Sequence, residues 1–197
     1  VDESRGGETA IGLGWRVHSW TAVVVAVRGP AESPHIVHRE QVTLLDDESL
    51  REPYHAAAAL PRDEAPGLIT SVEEAATTAA AETIRRFVAS LGSVAAVGVV
   101  GGNRKLPELP RILAKHALLH AAERAMYEQA IIEGAKRAGR SATTIPATGA
   151  LFAHASEVLG VKLEPSLAAL GKSIGPPWQK AHKEATAAAL VALHAVK

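Results

Sequence analysis

Residues 93–100, SVAAVGVV, are apolar after the first position and are closed by Gly92 on one side and Gly101-Gly102-Asn103 on the other. A strand with one wet face alternates polar and apolar residues, so a short run that does not alternate reads as a strand buried on both faces. Such a strand needs a layer above it and a layer below. The run is therefore expected to be a central strand of a sheet covered on both faces. The preceding segment agrees. Ser71 and Glu74 have capping-box spacing, which predicts a helix from Ser71 to about Leu91, with Ala76, Ala80, Ile84, Phe87 and Leu91 on its core face and Gly92 as its stop. This helix would be the crossover into a central parallel strand.

The N-terminal third adds more strands. Residues 10–13, 21–27 (TAVVVAV) and 36–45 are apolar or partly alternating β-rich stretches, which suggests an antiparallel meander. The segment GWRVHSW between the first two carries Arg16 and His18, which suit either a solvated connection or one wall of a site. Residues 1–9 read as a loose leader and residues 10–197 as one domain. Residues 46–66, with three prolines and many acids, read as a polar excursion. Within it, Tyr54-His55 before AAAAL predicts a short helix that folds its aromatic ring back onto the core. Beyond the central strand, residues 141–145 (SATTI) predict a last strand and residues 148–159 and 165–170 two short helices. Residues 171–177 (GKSIGPP) predict a rigid basic loop, and residues 179–195 a final alanine-rich helix.

The most informative stretch is the helix expected over residues 109–137. At about 100° per residue, Ile112, His116, Leu119, His120, Glu123, Met126, Tyr127, Ala130 and Ile131 share one face, while Lys115, Ala122, Gln129, Glu133 and Lys136 fall away from it. Two histidines and a carboxylate thus stand inside an apolar stripe. Burying an ionised carboxylate beside Leu119 and Met126 costs on the order of several kcal/mol unless it is paired, protonated or metal-bound. Three roles fit. His116 or His120 hydrogen-bonds Glu123 in a structural cluster tied to the sheet or to Arg16; or a histidine there does acid–base work; or the i, i+4, i+7 spacing holds one divalent metal. The HExxH form is absent, because Ala117 follows His116. His18 and His182 are expected to approach the same cluster, whereas His194 and Glu184 lie off the inward face of the last helix and are expected in solvent.

Composition narrows the class. Of the 197 residues 47% are apolar, which argues against disorder, and only 4% are aromatic, so small residues are expected to dominate the packing. There is no cysteine, hence no disulfide framework, thiolate nucleophile or cysteine zinc site. No apolar run is long enough to span a membrane, and residues 1–10 do not resemble a signal segment, so a cytoplasmic protein with no membrane partner is expected. Formal net charge is zero, yet residues 1–100 carry −6 and residues 101–197 carry +6. If the halves separate in space the second could face phosphate; if they interleave the asymmetry means little. Arg104, Lys105, Arg111 and Lys115 form one basic group, and Lys172, Lys180 and Lys183 form another near Trp178. Both suit a nucleic-acid backbone or simply a solvated face. Gly101-Gly102 beside Arg104 and Lys105 lacks any complete phosphate-loop motif and reads as a tight turn.

The element order of three strands, helix, strand, helix, strand, small helices and a final helix resembles the ribonuclease H-like superfamily. In particular it resembles the branch of the Holliday-junction resolvases, whose opening I-G-I-D-x-G strand is matched by IGLGWRVHSWTAVVVAV. The resemblance implies a mixed five-stranded sheet with helices on both faces and a site at the edge of the first and fourth strands. In such nucleases an acidic cluster holds two divalent metals. Here Gly14 stands at the first-strand aspartate position, the fourth strand ends VGVVGGN without an acid, residues 101–197 contain no aspartate, and the final helix offers only Glu184.

Two functions are therefore expected. One is a non-catalytic or atypical ribonuclease H-like protein with a degenerate acidic site, binding DNA or RNA through Arg104, Lys105, Arg111, Lys115, Lys172, Lys180, Lys183 and Trp178. The other is a hydrolase or nuclease with a site rebuilt from Glu123, His116, His120, His18 and His182, with or without one divalent metal. Whether the chain is an enzyme at all, and whether it binds a metal, stay open at this point. So does a homodimer, since alanine-rich helices pack equally well within one chain or across a seam.

Overall fold

A computed structural model describes residues 10–102 and 104–196; the expected leader at residues 1–9 lies outside the described residues. Three strands, β1 (Ile11–His18), β2 (Thr21–Arg28) and β3 (His35–Thr43), form the predicted antiparallel meander. Strand β4 (Val94–Val100) lies parallel to β1, and β5 (Ala142–Ile145) parallel to β4, giving one sheet of order β3-β2-β1-β4-β5. The helices are α1 (Pro53–Ala58), α2 (Ala65–Leu91), α3 (Leu109–Leu113), α4 (His116–Arg137), α5 (Leu151–Leu159), α6 (Leu163–Ile174) and α7 (Lys180–Ala195).

Strand alternation divides the side chains between two cores. Leu13, Trp15 and Val17 of β1, Val24 of β2 and Val97 and Val99 of β4 pack with Ala76, Ala80, Ile84 and Phe87 of α2 and with Met126, Tyr127 and Ile131 of α4. On the opposite face Val27, Val100 and Ile145 meet Ala187, Ala188 and Leu190 of α7, with Leu151, Leu163 and Leu167 of α5 and α6 outside them. Here the first strand presents Gly12 and Gly14, and β4 presents Gly98 directly opposite Gly14. A Cβ on Gly14 would stand 1.7 Å from the Ala185 carbonyl oxygen, and one on Gly98 would stand 2.0 Å from that of Ala188. Helix backbone therefore lies directly on strand backbone, an approach that only glycine permits.

Several expectations are corrected. Helix α2 begins at Ala65, so the Ser71-Glu74 pair lies inside it rather than at its start. Pro66 sits in the first turn, where its missing N–H would be unpaired anyway. Glu74 instead makes a two-pronged ion pair with Arg137 of α4 at 2.6 and 2.7 Å. The single helix expected over 109–137 is two, separated at Lys115, whose backbone is extended. Ala122, expected on the outer side, is buried against Ile112 and Leu119. The polar excursion is not bare loop: it holds a 3-10 turn at Glu48–Leu50, helix α1 and the start of α2. Because β4 and β5 join the meander in one sheet and α7 covers β1, the acidic and basic sequence halves interleave.

Candidate functional site

Parallel pairing brings the C-terminal ends of β1 and β4 to the same sheet edge. Three of the charged groups there, Arg16, Lys180 and Glu184, are drawn together. Arg16 Nε donates to Glu184 Oε2 at 2.6 Å, with side-chain exposures of only 14% and 8%, and Lys180 Nζ lies 3.7 Å from the other Glu184 oxygen. Glu184 is thus buried and paired rather than solvated. The stripe argument failed because α7 is covered on nearly every side, with every residue from Glu184 to Leu193 buried. At the end of β4, Glu128 of α4 fills the space over the glycine turn: the Gly102 amide donates to its Oε2 at 2.8 Å, and a Cβ on Gly101 would stand 2.2 Å from its carboxylate. Glu128 is 2% exposed, and its Oε1 has no hydrogen-bond partner among the described residues. Burial pushes its carboxyl pKa up, against the opposing pull of the Gly102 N–H. His18 lies at the same edge; partial desolvation, then the charges of Arg16 and Arg124, hold its pKa down, while Glu184 opposes them.

A second cluster stands farther out along α4. Five residues of helix place Glu123 about 7.5 Å along the axis from Glu128. Glu123 is 5% exposed and is paired, as its position demanded, but with a residue the sequence argument passed over. His55 of α1 donates to Glu123 Oε1 from both its backbone N–H, at 3.2 Å, and its ring Nδ1, at 2.7 Å. Arg16, bonded to Glu184, takes no part. His120 Nδ1 is 3.6 Å from Glu123 Oε2, beyond hydrogen-bond range. The rings of His55, His116 and His120 form a triangle with centroid separations of 4.5, 4.7 and 5.2 Å. One ring nitrogen of each lies within 4.8 Å of the others, so these three residues could hold a metal ion. His55 is partly buried, while His116 and His120 are exposed. Tyr127, one turn beyond Glu123, donates its hydroxyl to the Arg51 carbonyl at 2.9 Å and braces the segment that leads into α1.

The structure therefore brings His116, His120 and Glu123 together and adds His55, but does not gather His18 or His182 with them. His182 belongs to the start of α7: its Nδ1 accepts from the Gln179 N–H at 3.3 Å as half of a capping box, and its ring lies 6.1 Å from that of Trp178. Burial, and then the nearby Arg39, holds its pKa down. Trp178 donates its indole N–H to the Leu167 carbonyl at 3.0 Å and lies against Gly171. It is a packing anchor for the loop, which Arg39 fastens further through the carbonyls of residues 174–177. Arg104, Lys105, Arg111 and Lys115 are exposed and have no ion-pair partner among the described residues. Lys172 and Lys180 are exposed and Lys183 half-buried. One signal could have found His55: a buried glutamate needs a donor, and the predicted helix bearing Tyr54-His55 was the free element facing the core. Glu128 had no comparable mark except the two glycines whose space it fills.

The sheet order, the mixed pairing and helices on both faces define a ribonuclease H-like α/β fold. The chain is similar in structure to RuvC of T. thermophilus, solved in complex with a Holliday junction substrate, with a TM-score of 0.52, 16% sequence identity, and coverage of 92% of this chain and 91% of that one. No family model matches the sequence, and no curated protein matches it. Among the described residues no helix is long and apolar enough to cross a membrane.

Proposed function

We propose that the protein is a nucleic-acid-binding ribonuclease H-like domain that grips phosphate along the segment running from the end of β4 to the start of α4, without two-metal cleavage. The observation that carries this reading is the segment leaving β4, where Arg104, Lys105, Arg111 and Lys115 stand exposed with no ion-pair partner among the described residues. Phosphate contacts require clustered free cations and little else. The structural similarity to a junction-bound protein names the first substrate to try. The residues present do not fit a carboxylate-bridged metal pair. An aspartate at position 14 has no room beneath Ala185, Glu184 is neutralised by Arg16, and Glu128 is turned onto the Gly102 amide.

The test is fluorescence anisotropy with a labelled four-way junction, duplex and single strand across a salt series. With four phosphate contacts, raising salt from about 50 to 200 mM should weaken binding on the order of 100-fold, and removing Arg104 and Lys105 together should reduce the salt slope by about 2. No binding at the low salt defeats the proposal. A second reading is favoured by the Glu123–His55 hydrogen bond: a carboxylate that fixes an imidazole near the surface is the arrangement of a general base, so the site would hydrolyse a substrate docked on α1 and α4. It predicts turnover on a hydrolase substrate panel that disappears in Glu123→Gln.

A further inference from the structure

We infer that His55, His116 and His120 form a mononuclear site for a first-row transition metal, Zn2+ first, with Glu123 as the outer carboxylate that orients His55. This goes beyond both readings above, since the ion's binding is measured without DNA and without turnover.

Four observations converge on it. First, His116 and His120 are one helical turn apart on α4 and His55 arrives from α1, so ligands from two elements close a triangle. Second, Glu123 accepts the His55 Nδ1 proton at 2.7 Å, which fixes the tautomer and leaves Nε2 with an available lone pair. Third, that carboxylate is itself anchored by the His55 backbone N–H and is buried, so the orientation is built in rather than accidental. Fourth, the ligand nitrogens lie within 4.8 Å of one another, and a tetrahedral Zn2+ holds its nitrogens about 3.3 Å apart. Small rotations of the two exposed rings, His116 and His120, close that difference.

The donor set selects the metal. Three neutral imidazoles suit Zn2+, Co2+, Ni2+ and Cu2+ and discriminate against Mg2+ and Ca2+, which demand oxygen ligands. Three protein ligands also leave a fourth position, and the exposure of His116 and His120 opens it to water or to an anionic oxygen. Lys115, exposed next to His116, would favour an anion there.

The experiment is equilibrium dialysis of the chelator-stripped full chain against Zn2+ in excess Mg2+, with Co2+ absorption as the geometric readout. The expected result is one Zn2+ per chain, no displacement by Mg2+, and a visible Co2+ band characteristic of four-coordination. Glu123→Gln should weaken Zn2+ about 10–100-fold, and His55→Ala, His116→Ala and His120→Ala each by more than that, while His194→Ala changes nothing. Retained affinity in a folded triple-histidine variant, displacement by Mg2+, or absence of the four-coordinate Co2+ band overturns the proposal. Circular dichroism checks each variant's fold. If the histidine variants do not fold, wild-type stoichiometry, the Co2+ band and Glu123→Gln still decide.

Discussion

The sheet edge and the histidine triangle are both built around glutamates of α4, yet they are opposite kinds of place. At the edge, Glu128 is sealed over a glycine turn with one carboxylate oxygen unpartnered among the described residues, and Glu184 is locked to Arg16. At the triangle, Glu123 is equally buried, but it is satisfied by His55 alone and leaves three imidazoles near solvent with free nitrogens. Buried charge is thus held in two different ways on one helix. What separates the two is whether the partner of the buried group still has bonding capacity to offer.

The largest test of this contrast is Gly14→Asp, which on the resemblance to acid-bearing nucleases would look like a repair. With the Ala185 carbonyl 1.7 Å from a Cβ at that position, the variant should fail to fold rather than gain activity. A soluble, cooperatively unfolding variant would show that α7 can lift off the sheet. Next comes Arg16→Ala, which leaves Glu184 buried with only the distant Lys180. The expected loss is about 3–5 kcal/mol in urea unfolding, as for other broken buried pairs. At the triangle, Glu123→Leu removes the acceptor of two His55 donors and should cost less, about 1–3 kcal/mol, by the same measurement. A triangle more costly to disturb than the edge would reverse the comparison.

The smallest effect concerns pH. Glu128 has a raised pKa in the folded state, so the native chain binds its proton more tightly than the unfolded chain does. Its contribution is present below the ordinary carboxyl pKa and is lost as pH rises through the raised one. Wild type should therefore lose stability over that interval in a denaturant series at stepped pH, and Glu128→Gln should flatten the slope. An unchanged slope would mean that Glu128 is ionised in place.

Strands and layers were legible because burial imposes a period on the sequence. SVAAVGVV reads as a covered strand, and from Ala96 to Val100 it is one. The helix ends were less so. Pro66 and Gly67 look like breakers, but in a first turn a proline costs nothing, so the capping-box spacing at Ser71 misplaced the start of α2. The break at Lys115 falls inside the apolar stripe of 109–137, and beyond it His116 and His120, expected within the stripe, are exposed while Ala122 is buried. At the site, His116, His120 and Glu123 could be grouped because helical spacing is local. His55 is 68 residues from Glu123, and no period links them. Glu184 was misjudged because a stripe predicts exposure only for a helix with one wet side.

Gly12, Gly14 and Gly98 have a consequence for the order of assembly. The helix that seats on them arrives at residues 180–195, and the Arg16–Glu184 bond closes a separation of 168 residues. During synthesis, then, the first strand must wait with half of its surroundings missing until nearly all of these residues have left the ribosome. Such distant closure is slow and leaves strand surface open to mispairing in the interval. A version of the chain cut before α7 would remain in that unfinished condition.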